Sequence, residues 1–371
     1  MRPLCFDQVS VRNLRVLREV DLEPCSGINI VAGANGQGKT SLLEAIYLVA
    51  TSRSFRTHKL RECIAHGASA GSVRARLLED GQQREQFFAV SGNERVLKLD
   101  GSKPPGVAAY AVRSPVVVFH PGEVSLTAGP ASGRRTLLDR VALFVDPRSY
   151  EHLVAYQRAL KSRNRLMATE GPSSRALDPY EELLARHGSR LAIARRNAAT
   201  ALIQALLLAL EPLAPASLKV LATYAPGGSD QEQEMLERLH AGRIRDSRRS
   251  SPGFGPHLDD LVLTLDDRPA RVVGSQGQHR LLTLALKIAE TGCVAQATGI
   301  DPVLLLDDVS SELDAERTDA LFGFLAQRSN QVFVTTTRPE MVSRLRSEAP
   351  GTRLFEVVGG AVRIDPGSGA S

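Results

Sequence analysis

The sequence predicts an α/β fold in which one discontinuous α/β domain carries an inserted helical lobe. Alternating apolar and polar residues indicate strands in about the first thirty residues and again over 71–119. From about 150 to 210 the apolar residues are mostly spaced by three or four, which is typical of a helix. Strand-like runs return between 260 and 337. The β-rich ends therefore belong together, and the helical middle is the insert.

The domain division follows from these patterns. We expect a discontinuous head formed by residues 1–120 and 251–371, and a mostly helical lobe formed by residues 121–250. The apolar stripe that ends near residue 210 predicts one helix about 45 Å long. No heptad pattern persists, so no long coiled coil is expected. The polar stretch "RIRDSRRSSPGFGPH" (243–257) predicts a loop.

The C-terminal third is expected to alternate between helices and strands. Helices are predicted at about 277–297 and 314–328. The closing stretch "RLFEVVGGAVRIDP" predicts a hairpin with Gly-Gly at its turn.

Composition narrows the class of protein. The chain has 371 residues, 43% of them hydrophobic and 23% charged, and no run of 18 apolar residues. The most apolar run, "ATALIQALLLAL" (199–210), is short and predicts a buried helix, not a membrane span. The N-terminus lacks the apolar core of a signal peptide, so we expect a cytoplasmic protein without a membrane partner. Four widely spaced cysteines are expected to be reduced core residues.

A glycine-rich loop carries the strongest chemical signal. "GANGQGKTS" (33–41) matches the pattern G-x-x-x-x-G-K-[ST], follows the apolar run "INIVA" and precedes a predicted helix. Backbone N–H groups of such a loop and the helix N-terminus bind phosphates; Lys39 would reach the β- and γ-phosphates, and Thr40 would ligate Mg²⁺. The residues expected to bind ATP here are Gly33, Ala34, Asn35, Gly36, Gln37, Gly38, Lys39, Thr40 and Ser41.

A second signal is the apolar run that ends in two acids, "PVLLLDDV" (302–309). Such a run is typical of a strand buried on both faces, and ligands bind at the carboxyl end of strands of this kind. Asp307 is therefore expected to hold Mg²⁺ together with Thr40, and Asp308 to polarise the attacking water. Catalysis is assigned to Lys39 and Asp308.

A third element is the predicted helix start "SQGQHRLLTLALKIAE" (275–290). Its first residues, Ser275, Gln276, Gly277 and Gln278, offer a hydroxyl, a backbone N–H group and a helix dipole to an anion. Taken alone, an ordinary N-cap by Ser275 explains the pattern better.

The order of these elements resembles the ABC-type ATPases. That resemblance implies an ABC-type ATPase head, with mixed β structure and a RecA-like parallel sheet core. In that superfamily the S-x-G-Q helix caps the γ-phosphate on the partner subunit, so Ser275–Gln278 are implied to bind ATP across a dimer. Asp314, at the end of "SELD", falls in the loop that crosses this interface and is implied to contact the nucleotide.

Spacing and further motifs resemble the RecF family of bacterial recombination mediators over nearly the whole chain. Lys39 and Ser275 are 236 residues apart, a gap longer than in transporter ATPases and shorter than in chromosome-organising ATPases with long coiled coils. Matching stretches include "SFRT" (54–57), "VVVFHPGEVSLTAGPASGRRTLLD" (116–139), "GPHLDDL" (255–261) and "LLLDDVSSELD". Small departures are Leu258, where a basic residue is expected, and Ser41, where Asn is common.

The resemblance implies a slow ATPase that acts as a switch. ATP would join two copies into a homodimer that binds duplex DNA and single-strand/double-strand junctions, and hydrolysis would release it. The implied partners are RecR and RecO, which help load RecA. Asp308 stands where a longer Glu is common in the superfamily, which is consistent with slow hydrolysis.

Two alternatives stay open from the sequence: the ATPase subunit of a membrane transporter, and a chromosome-organising head. DNA contacts are also open: a solvated face explains each basic cluster better when the cluster is taken alone, whereas the clusters together could form the track that duplex binding needs. The clusters are Arg53, Arg56, Lys59 and Arg61; Arg134 and Arg135; Arg158, Lys161, Arg163 and Arg165; and Arg243, Arg245, Arg248 and Arg249.

Overall fold

The computed structural model describes residues 2–214, 218–308, 330–338 and 352–364. The chain divides into two compact units: Met1–Glu123 with Val294–Ser371, and Val124–Cys293. The first unit is rich in β-structure and the second is mostly helical.

The first unit contains two sheets and the helix between them. Its elements in chain order are β1 (Leu4–Leu14), β2 (Leu17–Leu22), β3 (Ile28–Ala32), α1 (Lys39–Thr51), β4 (Ala70–Glu79), β5 (Gln82–Ser91), β6 (Glu94–Leu99), α2 (Val107–Ala111), β7 (Val116–Phe119), β11 (Val303–Leu306), β12 (Val332–Thr336), β13 (Arg353–Val358) and β14 (Ala361–Ile364). The numbers missing from this series belong to the second unit.

The six-stranded sheet positions the glycine loop. Its strand order is β14-β13-β3-β12-β11-β7, and every pairing from β13 to β7 is parallel. The strands β7, β11 and β12 are buried along their whole length, because both faces of a parallel sheet are covered. This explains why their sequences are continuous apolar runs. The Gly-Gly hairpin predicted at the C-terminus is confirmed as β13 and β14.

The five-stranded sheet is antiparallel, in the order β2-β1-β4-β5-β6. Apolar residues such as Val9, Val11, Val73 and Phe88 alternate along its strands and are fully buried, as expected for a sheet with one face on the core. The helix α1 contacts strands of both sheets. Its residues from Ser41 to Ala50 are all buried, so a helix that is apolar on most sides fits here.

The second unit is a helical bundle with a small sheet. Its elements are α3 (Ser125–Ala128), α4 (Ala131–Val145), α5 (Ser149–Glu170), α6 (Asp178–Leu210), β8 (Val220–Ala225), α7 (Glu232–Arg249), β9 (Asp260–Leu265), β10 (Arg268–Pro269), α8 (Ala270–Val273) and α9 (Gln276–Thr298). The last helix extends past the boundary of the unit at residue 293.

Within the described residues, one helical stretch, Arg175–Leu210, is long and apolar enough by length and composition to cross a membrane. This is weak evidence, because helices in the core of water-soluble proteins meet the same criterion. Here the apolar side, including Leu184, Leu191 and Leu202, is buried against other helices of the unit. The four cysteines are free thiols, as predicted, but only Cys63 and Cys293 are buried in the core, while Cys5 and Cys25 are partly exposed.

Two expectations differ from the structure. Residues 243–249, predicted as loop, form the C-terminal turns of α7. The helix forms because Met235, Leu239, Gly242 and Asp246 share a buried face, while acidic residues in the first turn and arginines in the last complement the helix dipole.

The helical unit also ends later in the chain than predicted: it extends to Cys293, whereas the predicted helical lobe ended at residue 250. Residues 251–293 group with the helices and not with the β-rich ends. The strand β9 pairs with β8, and Arg140 on α4 forms an ion pair with Glu290 on α9. Paired strands and buried charges tie this segment to the helical unit.

Candidate functional site

The glycine loop connects β3 to α1 and has the conformation that its glycines permit. Gly33, Gly36 and Gly38 have φ angles of 152°, 78° and 118°, which residues with a side chain rarely adopt. At Gly33 a Cβ atom would also lie 2.4 Å from the carbonyl oxygen of Val357. The loop therefore requires glycine for both its backbone angles and its close packing.

The C-terminal hairpin supports this loop, a contact that sequence reasoning missed. The Gly359 N–H group donates to Gln37 Oε1 at 2.6 Å, and the Gly360 N–H group donates to the Gln37 carbonyl at 3.0 Å. Both glycines have positive φ, so their N–H groups turn toward the loop. The hairpin motif was visible in the sequence, but its position beside the loop depends on the pairing of β13 with β3.

Lys39 begins α1 and folds back over the loop. Its Nζ atom donates to the carbonyl oxygens of Gly33 and Ala34 at 2.7 and 2.9 Å. Burial lowers the pKa of Lys39, although the negative charges of Asp308 and Asp307 oppose that shift. The ammonium group is thus held inside the loop, where an incoming phosphate could replace its carbonyl partners.

Asp307 lies at the carboxyl end of β11, facing Thr40. The Thr40 hydroxyl lies 2.9 and 3.0 Å from the two carboxylate oxygens of Asp307. Thr335, at the end of β12, donates to Asp307 Oδ1 at 2.9 Å. Burial raises the pKa of Asp307, and the hydrogen bonds from Thr335 and Thr40 counteract this only in part. A hydroxyl and a buried carboxylate in contact form an oxygen donor set of the kind that Mg²⁺ prefers.

Thr335 also fixes the second acid. The Asp308 N–H group donates to Thr335 Oγ1 at 2.8 Å, so one threonine hydroxyl bridges the two consecutive acids. Asp308 has a φ of 49°, a left-handed conformation that turns the chain sharply after the strand. Thr335 was missed from sequence because "VTTT" offers three consecutive hydroxyls and only the parallel pairing of β11 with β12 selects one of them.

These residues line one cavity of about 300 Å³. Its walls are formed by Val16, Asn35, Gly36, Gly38, Lys39, Thr40, Ser41, Arg56, Asp307, Asp308 and Thr335. Six of the nine predicted loop residues and both acids of the strand thus line the cavity, whereas Gly33, Ala34 and Gln37 are not among its lining residues. Val16 and Arg56 are additions that no motif assigned to the site. The cavity combines N–H donors, an ammonium group, a guanidinium group and two carboxylates, which suits a polyphosphate accompanied by a metal ion.

The S-x-G-Q segment lies in the second unit, at the start of α9. The Gln278 N–H group donates to Ser275 Oγ at 3.2 Å, and the Ser275 N–H group donates to Gln278 Oε1 at 2.8 Å. This reciprocal pair is a capping box, so Ser275 does act as an N-cap. Ser275 and Gln276 are exposed, and the capped helix end presents them to solvent. Asp314, the remaining predicted ATP contact, lies outside the described residues.

The basic clusters are partly used inside the protein. Arg134 is buried against Asp260, Arg163 is buried between Glu181 and Asp246, and Arg243 pairs with Asp178 and Glu181. Carboxylates of the helical unit therefore neutralise these three arginines. Arg158, Lys161, Arg165, Arg245, Arg248 and Arg249 are exposed.

Comparison with known proteins places the chain in a family. Residues 8–102 match the family model AAA_23, described as an AAA domain. The DNA replication and repair protein RecF of Anaeromyxobacter sp. (strain Fw109-5) is 38% identical, covering 95% of this chain and 97% of the relative. The RecF protein of Myxococcus xanthus (strain DK1622) is 37% identical, covering 95% of this chain and 96% of the relative. The chain belongs to the RecF family.

Solved structures agree with the RecF assignment. The structure described as the recombination mediator protein RecF-ATPrS in the RecFOR pathway has a TM-score of 0.86 and 29% identity, and the match covers 98% of both chains. The Smc head domain of Pyrococcus furiosus matches with a TM-score of 0.56 at 14% identity, which shows a shared fold only. The predicted family and the ABC-type ATPase fold are confirmed, and the described residues contain no long coiled coil.

Proposed function

We propose that this protein is a RecF-type ATPase in which ATP binding controls the affinity for DNA. The observation that carries the proposal is the contact between Thr40 and Asp307 in a cavity roofed by the glycine loop. Two elements 267 residues apart in sequence are joined there, and each has the residue type that a magnesium–triphosphate complex requires. The solved RecF relatives are described as RecF-ATP and RecF-ATPrS, which supports ATP as the ligand.

The cavity suggests how each residue acts. Backbone N–H groups from Gly33 to Ser41 and the N-terminus of α1 would bind the phosphates, with Lys39 exchanging its loop carbonyls for the β- and γ-oxygens. Thr40 and Asp307 would hold Mg²⁺, which when bound neutralises phosphate charge. Asp308 would orient the attacking water. Its side chain is one methylene shorter than Glu, so we expect slow hydrolysis that acts as a release step.

We further propose that ATP joins two copies of this protein. The helix start Ser275–Gln278, whose first two residues are exposed, would contact the γ-phosphate bound by the partner copy, and Asp314 would contribute from the crossing loop. The dimer would bind duplex DNA near single-strand gaps and act with RecO and RecR in loading RecA. The RecFOR pathway in the descriptions of the solved relatives supports this assignment of partners.

Sedimentation with and without Mg-ATP, in the presence and absence of duplex DNA, tests both steps. Wild type should dimerise with ATP and bind duplex more tightly. Lys39→Met should lose both effects because it cannot hold the phosphates, and Ser275→Arg should bind ATP but stay monomeric. Ser132→Arg is the matched control, since Ser132 is an exposed serine in the first turn of α4. Wild-type dimerisation by Ser275→Arg would exclude the contact across the dimer.

A further inference from the structure

Glu44 is a buried carboxylate in the helix that carries Lys39 and Thr40. Its side chain is 1% exposed, in the second turn of α1. A charge in such a position requires several partners to offset the loss of hydration. Glu44 obtains them from three segments of the chain that are separate in sequence.

The partners surround both carboxylate oxygens. Arg15 donates twice, from Nε to Oε2 and from Nη2 to Oε1, each at 2.8 Å. Arg56 Nη1 donates to Oε2 at 3.1 Å, and the Ser54 hydroxyl donates to Oε1. The Cys63 thiol lies 3.6 Å from Oε1. Burial by itself would raise the pKa of Glu44, but hydrogen bonds from Arg15 and Ser54 outweigh it and the net pKa is lowered, so the carboxylate stays ionised.

One of these partners, Arg56, lines the ATP cavity, and another, Arg15, is next in sequence to a lining residue. Arg15 precedes Val16, and Val16 lines the cavity. Ser54 accepts from the N–H groups of Arg56 and Thr57 at 2.9 and 3.1 Å, which fixes the turn that carries Arg56. Arg56 lines the cavity as well. Burial is the leading cause of the raised pKa of Asp307, and the positive charge of Arg56 partly opposes that shift. One carboxylate thus fastens both wall segments to the phosphate-binding helix.

The two ion pairs of Glu44, with Arg15 and with Arg56, have different roles. Arg15 is bidentate and only 21% exposed, so by itself it neutralises Glu44. Arg56 donates to Glu44 through Nη1, and its side chain stays 42% exposed. A guanidinium has five N–H donors, so Arg56 can be oriented by Glu44 and still present donors to an anion in the cavity. The second ion pair is therefore dispensable for neutralising Glu44 but orients Arg56.

We propose that Glu44 is a positioning residue for nucleotide binding, acting by holding Arg56 toward the phosphates. This inference rests on the proposed ATP site. Glu44 itself does not reach the cavity; it preorganises the guanidinium so that less ordering is needed when the nucleotide binds.

A double-mutant cycle tests the mechanism with the full-length protein. The affinity for Mg-ATP is measured by isothermal titration calorimetry for wild type, Glu44→Gln, Arg56→Gln and the double variant. Each single variant should weaken binding about tenfold, the scale of one charge-assisted hydrogen bond. The double variant should be no weaker than Arg56→Gln, because Glu44 acts through Arg56. Glu181→Gln, another fully buried carboxylate paired with arginines, is the control and should keep wild-type affinity while its melting temperature falls.

The outcomes separate this inference from the proposed function. If wild type does not bind Mg-ATP, or if Lys39→Met binds it equally well, the ATP site itself is wrong. If Lys39→Met loses binding but Glu44→Gln keeps it, or if the two single losses multiply in the double variant, Glu44 is not a positioning residue. Should Glu44→Gln fail to fold, Ser54→Ala decides, since it loosens the same turn without removing a buried charge. A loss of about threefold is then expected, and unchanged affinity overturns the inference.

Discussion

Two buried cations, Arg163 in the helical unit and Lys39 in the β-rich unit, have different kinds of partner. In the helical unit Arg163 is 0% exposed and donates to Glu181 and Asp246 at 2.8 and 2.9 Å, which joins α5, α6 and α7. In the β-rich unit Lys39 donates to neutral carbonyls, and Asp307 accepts from neutral hydroxyls, beside an open cavity. The first arrangement neutralises charge inside the fold, and the second leaves opposite charges available to a ligand.

This difference shows why residue type alone does not locate a binding site. Arginines of the helical unit form basic clusters in the sequence, yet Arg163 and Arg134 form ion pairs with carboxylates on neighbouring helices and on strand β9. The one lysine of the glycine loop is a far weaker compositional signal. It nevertheless lies in the cavity with two acids, because the parallel sheet ends there. Pairing with buried partners, and not the number of charges, separates a structural cluster from a site.

Replacing Lys39 and Arg163 separately by methionine is the strongest test of this contrast. Lys39→Met should reduce ATP hydrolysis on the order of 100-fold or more, since a preorganised donor to the transferred phosphoryl group is lost. Its melting temperature should be near that of wild type, because the loop carbonyls released by Lys39 can be hydrated from the cavity. Steady-state phosphate release and thermal unfolding measure the two quantities.

Arg163→Met should give the opposite result. Removing one partner from a buried ion pair costs about 3–5 kcal/mol, because Asp246 would be left buried without its cation. Urea unfolding should show that loss, whereas the affinity for Mg-ATP measured below the unfolding transition should not change. A variant as stable as wild type would mean that the three helices do not depend on this arginine.

Lowering the pH should destabilise the helical unit before it destabilises the β-rich unit. Burial is the leading cause of the lowered pKa of His187, His257 and His279, all of which lie in that unit. Their neutral forms are favoured in the folded protein, so stability is lost as pH falls below the unfolded value of 6.5. In the β-rich unit the pKa values of Asp21 and Glu44 are lowered, so the stability that they contribute is lost only as pH falls below about 5, toward and past their unfolded values of 3.8 and 4.5.

Between pH 7 and 5 we therefore expect a fall of roughly 2–5 °C in melting temperature. Amide exchange should become faster in the helical unit before it does so in α1 or β3. His257→Gln should reduce the pH dependence; equal acceleration of exchange in both units would contradict the assignment.

The smallest expected effect is a gain in stability. Burial raises the pKa of Asp307, so ionising it at neutral pH costs folding free energy that is absent below its unfolded pKa. Asp307→Asn removes that cost while still accepting from Thr40 and Thr335, and should raise the melting temperature by about 1–3 °C. Mg²⁺-dependent ATP hydrolysis should be lost in the same variant. A lower melting temperature would show that the charge of Asp307 supports the fold.

Local sequence determined the elements of the ATP cavity. The glycine loop, the strand before it, the helix after it and the acidic strand each carry a pattern that depends on neighbours in the chain. Backbone conformation and apolar periodicity are short-range properties, so the residues from Gly33 to Ser41 and the pair Asp307–Asp308 could be named without coordinates. The RecF-type order of motifs could be read in the same way.

Only the tertiary structure decided how distant segments meet. Thr335 joined the site because β12 lies between β3 and β11, and Gln37 gained its support from a hairpin more than 300 residues away. Glu44 gathered Arg15, Ser54 and Arg56 because α1 is packed between two sheets. The burial of Arg163 and the helical state of residues 243–249 likewise depended on neighbouring helices. Burial and ion pairing are set by contacts across the fold, and no pattern within one segment specifies them.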